Sequence, residues 1–232
     1  MTGMSKKFKH EQTRHGNLRM KNPTEITVAT FNKLAQRYQD KYMNLEDYDD
    51  TYALFCKNLV SSNARVLELA CGPGNVTRAL LARLPDLQII ATDLAPQMVE
   101  LARSNNPKVQ FAVMDCRDVG GQGKNFDALV CAFGLPYLSR TEAATLIADA
   151  VAVLNPGGLL YLSAMEAEET RSGWQTSSTG DQVYIHYHDE VHLRAALATH
   201  GFEVIDVRRK PGPAQSSMAS TDLFILARLR AV

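Results

Sequence analysis

Beyond residue 63 the chain alternates between two kinds of hydrophobic patterning. Short aliphatic or β-branched runs stand at RVLELA (65–70), LQIIATD (87–93), KVQFAVMD (108–115), FDALVCAF (126–133) and GLLYLSAM (158–165). Segments with helical spacing lie between them, at 75–84, 95–104 and 141–154. In the last of these, Ala143, Leu146, Ile147, Ala150, Val151 and Leu154 follow the i, i+3, i+4, i+7 spacing that gathers side chains on one helical face. Asn155-Pro156-Gly157-Gly158 then supplies stop chemistry. Strands alternating with helices at this period predict a parallel sheet covered on both faces, joined by right-handed crossovers.

Both ends depart from the alternation. ATFNKLAQRYQDKYMN and YDDTYALFCKNLVSS read as two helices before the first strand, the second ending near Asn63. A helix at 189–200 stops at Gly201 and is followed by FEVIDVRR (202–209), a Pro/Gly/Ser loop (211–220) and DLFILARLR (222–230). Two strands with no helix between them predict an antiparallel pair at the sheet edge. No long linker interrupts this text, so residues 24–232 read as a single α/β domain.

Charge divides the chain where hydropathy does not. Its 232 residues hold 25 basic and 25 acidic side chains, with 45% of positions apolar. That composition is globular, and no apolar run approaches the ~18 residues of a membrane helix. Lys6, Lys7, Lys9, Arg14, Arg19 and Lys21 face only Glu11 within residues 1–23. The leader therefore carries a net charge of about +5 and the body about −5. With so few apolar residues the leader reads as disordered, and it lacks the apolar stretch of a secretory signal. The acidic body argues against a nucleic-acid partner, while the leader keeps an RNA or protein partner as an alternative. Cys56, Cys71, Cys116 and Cys131 are too scattered for a metal cluster and read as buried thiols, which suits a reducing cytoplasm.

The candidate chemistry begins at VLELACGPGNVTRAL (66–80), an apolar strand turning through Cys71-Gly72-Pro73-Gly74 into a helix. Glycines here permit a sharp turn and close approach of a ligand at the carboxyl end of a strand. Asp93 follows at the end of the next strand, where a carboxylate can accept both hydroxyls of a ribose. The pair points to an adenosine-containing ligand. A dinucleotide fold would place a third glycine at Thr77, and Glu68 would repel a pyrophosphate while suiting an ammonium group.

These residues resemble the class I S-adenosylmethionine-dependent methyltransferases. Glu68-Leu69-Ala70-Cys71-Gly72-Pro73-Gly74 matches the first motif, Asp/Glu-x-G-x-G-x-G, except at Ala70, where one added methyl slightly tightens the methionine pocket that the motif implies. ATDLAPQMVELAR, VQFAVMDCRD, FDALVCAFGLPYL and LNPGGLLYLS resemble the later motifs in order, and the likeness runs over 24–232. It implies a Rossmann-like doubly wound seven-stranded sheet, order 3-2-1-4-5-7-6 with the seventh strand antiparallel, under an N-terminal helical lid (about 24–62). It implies S-adenosylmethionine as methyl donor, its methionine part held by Glu68 and the 70–74 backbone and its ribose by Asp93, with Leu94 beside it. Asp115 and Cys116 would meet the adenine edge, Met98 its face, and Ala132 the sulfonium side. Tyr38, four residues before Tyr42, stands where related enzymes close a tyrosine over the donor.

The likeness implies an acceptor side at 166–183, with residues 184–188 following it. Trp174 is a candidate wall, and strand alternation places Tyr184, His186 and His188 on one face. His186 is the candidate base for an acceptor that must lose a proton, and Tyr137 a candidate for positioning it. His188 or Asp189 is expected to cap the following helix. The likeness implies in-line methyl transfer to a small-molecule acceptor. A donor-binding protein without turnover, or a methyltransferase of RNA or protein, are the alternatives.

Overall fold

The computed structural model of the protein describes residues 22–44, 46–123, 125–213 and 220–231. Most of the expected basic leader lies outside them. Helix α1 (Pro23–Tyr42) already begins at the leader's last residue, with Pro23 in its first turn and Asn22 accepting the Glu25 N–H at 2.8 Å as its cap. Helix α2 (Asp49–Asn58) follows. Five strands with three α-helices between them come next: β1 (Arg65–Leu69), α3 (Asn75–Arg83), β2 (Gln88–Asp93), α4 (Pro96–Asn105), β3 (Gln110–Val113), β4 (Phe126–Cys131), α5 (Arg140–Val153) and β5 (Leu154–Glu166). A short 3-10 turn, Cys116–Gln122, stands in place of a helix between β3 and β4.

The remainder is a hairpin, β6 (Gly173–Thr176) and β7 (Gln182–Ile185), then α6 (Glu190–Thr199), β8 (Phe202–Pro211) and β9 (Thr221–Leu229). The main sheet has seven strands in the order β3-β2-β1-β4-β5-β9-β8. Strands β1 to β5 pair in parallel, and β9 runs antiparallel to both β5 and β8. This is the Rossmann-like order expected from the motifs. The β6–β7 hairpin was not expected. Its register pairs Trp174 with Tyr184.

Each face of the sheet has its own core. Leu67, Leu129, Leu160 and Ile225 pack against Leu146, Ile147 and Ala150 of α5 and Leu193 of α6. Val66, Ile89, Val130 and Leu226 pack on the other face against Phe55 of α2, Leu80 of α3 and Val99 of α4. Helix α5 is closed by a reciprocal cap, Ser139 accepting from the Glu142 N–H while Glu142 accepts from the Ser139 N–H. The 155–158 turn differs from expectation. It lies within β5, and the pairing shifts from Phe126↔Leu154 to Ala128↔Leu159 around Gly157 at φ +78°. That irregularity lets the strand start immediately after α5.

Helix α1 does not float free of the sheet. Thr30 donates to the Gln182 carbonyl at 2.7 Å and Thr27 accepts from the Tyr184 N–H at 3.1 Å, tying the helix to the hairpin. Asn32 accepts from the Gln97 N–H at 2.9 Å and Asn105 donates to Gln39 at 2.7 Å, tying it to α4. The helix thus roofs the carboxyl ends of the strands. No helix of the described residues is long and apolar enough to cross a membrane.

Candidate functional site

The loop after β1 is held in one shape by backbone bonds. The Cys71 N–H reaches the Thr92 carbonyl at 2.9 Å, and the Gly74 N–H reaches Cys71 at 3.0 Å. Three of its residues are left-handed: Ala70 at φ +53°, Gly72 at +53° and Gly74 at +81°. For Ala70 that conformation costs on the order of 1–2 kcal/mol, which the motif's usual glycine would avoid. Gly74 caps α3, and a Cβ there would stand 2.4 Å from Asn106 Nδ2, whose amide bonds the Gly74 carbonyl at 3.1 Å. Gly74→Ala adds left-handed strain and displaces a buried amide, a cost of roughly 2–4 kcal/mol. The expected melting temperature is lower by roughly 5–15 °C. A thermal melt matching wild type would show the loop to be more yielding than this.

A cavity of about 390 Å³ opens above this loop at the carboxyl ends of β1 to β4. Ala70, Cys71 and Gly72 line it from the β1 loop, Asp93 and Leu94 from the end of β2, and Met98 from α4. Asp115, Cys116 and Ala132 line it from beyond β3 and β4. Asp93 joins two of these segments, accepting from the Gly72 N–H at 2.9 Å and the Ala95 N–H at 2.8 Å. Burial pushes its carboxyl up, and the backbone donors oppose the rise. Each carboxylate oxygen retains a lone pair for a ligand.

Asp115 is less free than the motif suggested. Burial would raise its carboxyl, but Arg117 lies against both oxygens, with Nη2 at 2.5 Å, and holds it below the usual range. Arg117 also bonds Glu142 at 2.9 Å, so the α5 cap and the cavity share a carboxylate. Neither Arg117 nor Glu142 was singled out in the sequence, although both line the cavity. The i+2 spacing of Asp115 and Arg117 was the available signal.

Tyr38 and Tyr137 close the cavity from above, with Phe31 between them. Phe31 meets Tyr38 edge-on at 5.9 Å and Tyr137 at 5.1 Å between ring centroids. Burial raises both phenols, so they are hydrogen-bond donors at neutral pH. Tyr184 and His186 complete the wall, their rings 4.8 Å apart. The backbone N–H of His186 donates to the Pro136 carbonyl at 2.7 Å, and burial lowers its imidazole below the ordinary value.

Four expectations take different positions. Glu68 and Gly74 do not line the cavity; Glu68 lies within β1 and Gly74 caps α3. Glu68 is fully buried, with Oε2 accepting from Thr77 at 2.6 Å and Oε1 without a partner. Trp174 is 43% exposed and does not line this cavity; it packs edge-on to Tyr184 at 5.3 Å. His188 does not share the wall with His186, because the strand ends at Ile185. Its buried ring instead bonds the carbonyls of Leu135 and Leu138 at 2.9 and 3.1 Å, while Asp189 caps α6.

A second cavity, of about 400 Å³, shares Tyr38, Asn75, Phe133 and Tyr137 with the first. Phe133 is the other non-glycine residue in the left-handed region, at φ +58°, with its N–H on Ser163 at 2.7 Å. Behind this shared wall lie Tyr48, Asp222 and Met165, brought from the α2 entry, β9 and β5. Tyr48 and Asp222 were not anticipated. Tyr48 precedes a short helix, and Asp222 opens an apolar strand 174 positions later.

The loop, the carboxylate at the end of β2 and the sheet order together coincide with a known family. Residues 66–158 match the methyltransferase domain family. Over that stretch the chain is similar to class I S-adenosylmethionine-dependent methyltransferase domains. It is 33% identical over 108 residues to a demethylmenaquinone methyltransferase of Deinococcus radiodurans, covering 45% of this chain and 44% of that protein. The chain thus spans about half the length or less of the curated relatives first matched. Among solved structures, magnesium protoporphyrin IX methyltransferase of Synechocystis PCC 6803 with bound SAM superposes at TM-score 0.66 and 17% identity. That likeness covers 92% of this chain and 99% of the other. The cyclase SpnF superposes at TM-score 0.68 and 14% identity, covering 91% and 98%. The methyltransferase domain's fold therefore also appears in a protein named for a different reaction.

Proposed function

We propose that the protein transfers the methyl group of S-adenosylmethionine to a small-molecule acceptor and releases S-adenosylhomocysteine. The observation that carries this reading is Asp93, a half-buried carboxylate that ties the glycine loop to the β2 end and still faces a 390 Å³ cavity. The residues fit the donor. Asp93 has lone pairs for a ribose, and Gly72 leaves its cavity side open, with a Cβ there still 3.8 Å from Tyr38. Cys116 and Asp115 present an edge for adenine over Met98. Glu68 lies buried next to the loop, where a nearby methionine ammonium would favour its ionised form.

The bound donor supplies a methyl group already activated on a sulfonium. The chain's part is alignment, exclusion of water and electrostatics. Tyr38, Phe133 and Tyr137 surround the boundary between the two cavities, and aromatic faces there stabilise a sulfonium through cation–π attraction. Cavities of about 390 and 400 Å³ suit compact ligands. The named substrates of the relatives, demethylmenaquinone and magnesium protoporphyrin IX, support a small acceptor.

Calorimetry with S-adenosylhomocysteine is expected to show saturable binding, and labelled S-adenosylmethionine to pass its methyl to a member of a small-molecule panel. Absence of donor and product binding would overturn the reading. The resemblance to a cyclase and the strained Ala70 favour one second reading, a donor-binding protein without transfer. Binding with no transfer across the panel would decide for it.

A further inference from the structure

The second cavity holds a buried acid for which donor binding has no use. Asp222 is 2% exposed and lines the cavity from the start of β9. Its Oδ2 accepts from the Tyr48 hydroxyl at 2.5 Å, and its Oδ1 from the Ser220 hydroxyl at 3.1 Å. Among the described residues no cation pairs with it. Lys210, its register partner on β8, turns its ammonium to Asp50 at 2.5 Å instead. Glu46 and Asp49 face the same cavity, as do Arg78 and Arg83 from α3. Arg83 is bound to Asp49 at 2.8 Å, and Arg78 is exposed at the rim. A carboxylate held dry without a cation is costly, and such groups concentrate at sites where a proton is moved.

The rest of the wall is aromatic. Tyr38, Tyr42, Tyr48, Tyr52, Phe133 and Tyr137 surround the space. Flat rings in edge and face orientations favour a flat aromatic guest. Three carboxylates facing inward disfavour an anionic one. The reach of a carboxylate base selects further. A phenol has a pKa of about 10, whereas an aliphatic hydroxyl lies nearer that of water at ~15.7.

Resting on the methyl-transfer reading above, we propose that this cavity takes a neutral hydroxylated aromatic acceptor, and that Asp222, oriented by Tyr48, receives the hydroxyl proton. The oxygen–methyl bond forms as the methyl–sulfur bond breaks. The electron pair of the broken bond stays on sulfur, and the acceptor proton passes to the Asp222 carboxylate. The products are a neutral aryl methyl ether, a neutral thioether and a protonated Asp222, which returns its proton to solvent after release. His186, the base expected from the sequence, lines only the first cavity and does not reach this one. Burial raises the Asp222 carboxyl, while Tyr48 and Ser220 hold it down, so it is a stronger base than an exposed aspartate.

The test uses the full chain, S-adenosylmethionine, and catechol and 2-naphthol as probes beside cyclohexanol and benzoate. Transfer is expected to the two phenols only, with a rate that rises with pH as Asp222 ionises. Asp222→Asn is expected to lose about 100-fold or more in kcat, together with the rising limb, while binding of S-adenosylhomocysteine is unchanged. Tyr48→Phe removes a hydrogen bond that holds the carboxyl down, so its rising limb moves to higher pH. Wild-type protein that binds S-adenosylhomocysteine yet methylates neither phenol, or prefers benzoate or cyclohexanol, overturns the proposal. So does an unshifted profile in Tyr48→Phe, which decides alone if Asp222→Asn does not fold. Failure of the wild type to bind S-adenosylhomocysteine instead overturns the methyl-transfer reading beneath it.

Discussion

Asp93→Ala is expected to weaken binding of S-adenosylhomocysteine by about 100-fold or more. A ribose diol on this carboxylate forms two charge-assisted hydrogen bonds, each worth ~1.5–3 kcal/mol, so losing both costs at least about 3 kcal/mol. The substitution also deprives the Gly72 and Ala95 N–H groups of their acceptor. The loop is then held by the Cys71–Thr92 backbone bond and the contact of Gly74 with Asn106. Two measurements separate loop loosening from loss of the ribose contact. The melting temperature without ligand reports the first, and the further rise on adding S-adenosylhomocysteine reports the second. Asp93→Asn keeps one acceptor oxygen and is expected to fall between the two. Calorimetry showing wild-type affinity in Asp93→Ala would remove Asp93 from the donor site.

The parts legible in the sequence share one property: they depend on neighbours close in the chain. The β1 loop, its glycines and the Asp93 carboxylate lie within 26 positions, from Glu68 to Asp93, and the parallel order follows from βαβ units whose ends are short turns. The antiparallel edge was legible because Pro/Gly/Ser text, with no helical spacing, joins FEVIDVRR to DLFILARLR. The β6–β7 hairpin was not, because two four-residue strands in polar text carry little periodicity. Its place is set from far away, by Thr27 and Thr30 of α1 on Tyr184 and Gln182. His188 reads as polar in sequence and is fully buried, its Nε2 held by carbonyls of a turn about 50 residues earlier and its Nδ1 without a partner. The Tyr48–Asp222 contact is the extreme case: no local pattern joins residues 174 apart.

Strain also sorts the site in a way composition does not. Only Ala70 and Phe133 among the described non-glycine residues have positive φ, and both line the first cavity. Ala70 opens the loop after β1 and Phe133 lies in the turn after β4, the two adjacent central strands. The methyl of Ala70 stands 3.2 Å from where a Cβ on Gly134 would lie, so the two turns are packed against each other. The surrounding backbone bonds, Cys71 to Thr92 and Phe133 to Ser163, hold both conformations. Rigid turns at this junction suit a reaction that depends on alignment.

Glu68→Gln is expected to raise stability above neutral pH and to abolish a pH dependence. Burial pushes the Glu68 carboxyl up to about 7, with the Thr77 bonds opposing and Asp93 adding to the rise. The unfolded chain releases this proton near the ordinary glutamate value of about 4.3, so between there and about 7 the folded state holds more protons. Stability from this group is therefore complete at low pH and declines as pH rises through that window. The total is about 3 kcal/mol, or roughly 6–12 °C in melting temperature. Glutamine keeps an oxygen for Thr77 and carries no charge, so its melting curve lacks this decline. Asp115 and Glu142, held low by Arg117, act with the opposite sign at more acidic pH in both proteins and cancel in the comparison. The observable is the difference in Tm between variant and wild type at pH 5 and pH 8, expected to widen with pH; parallel profiles would mean that Glu68 is ionised when the chain is folded.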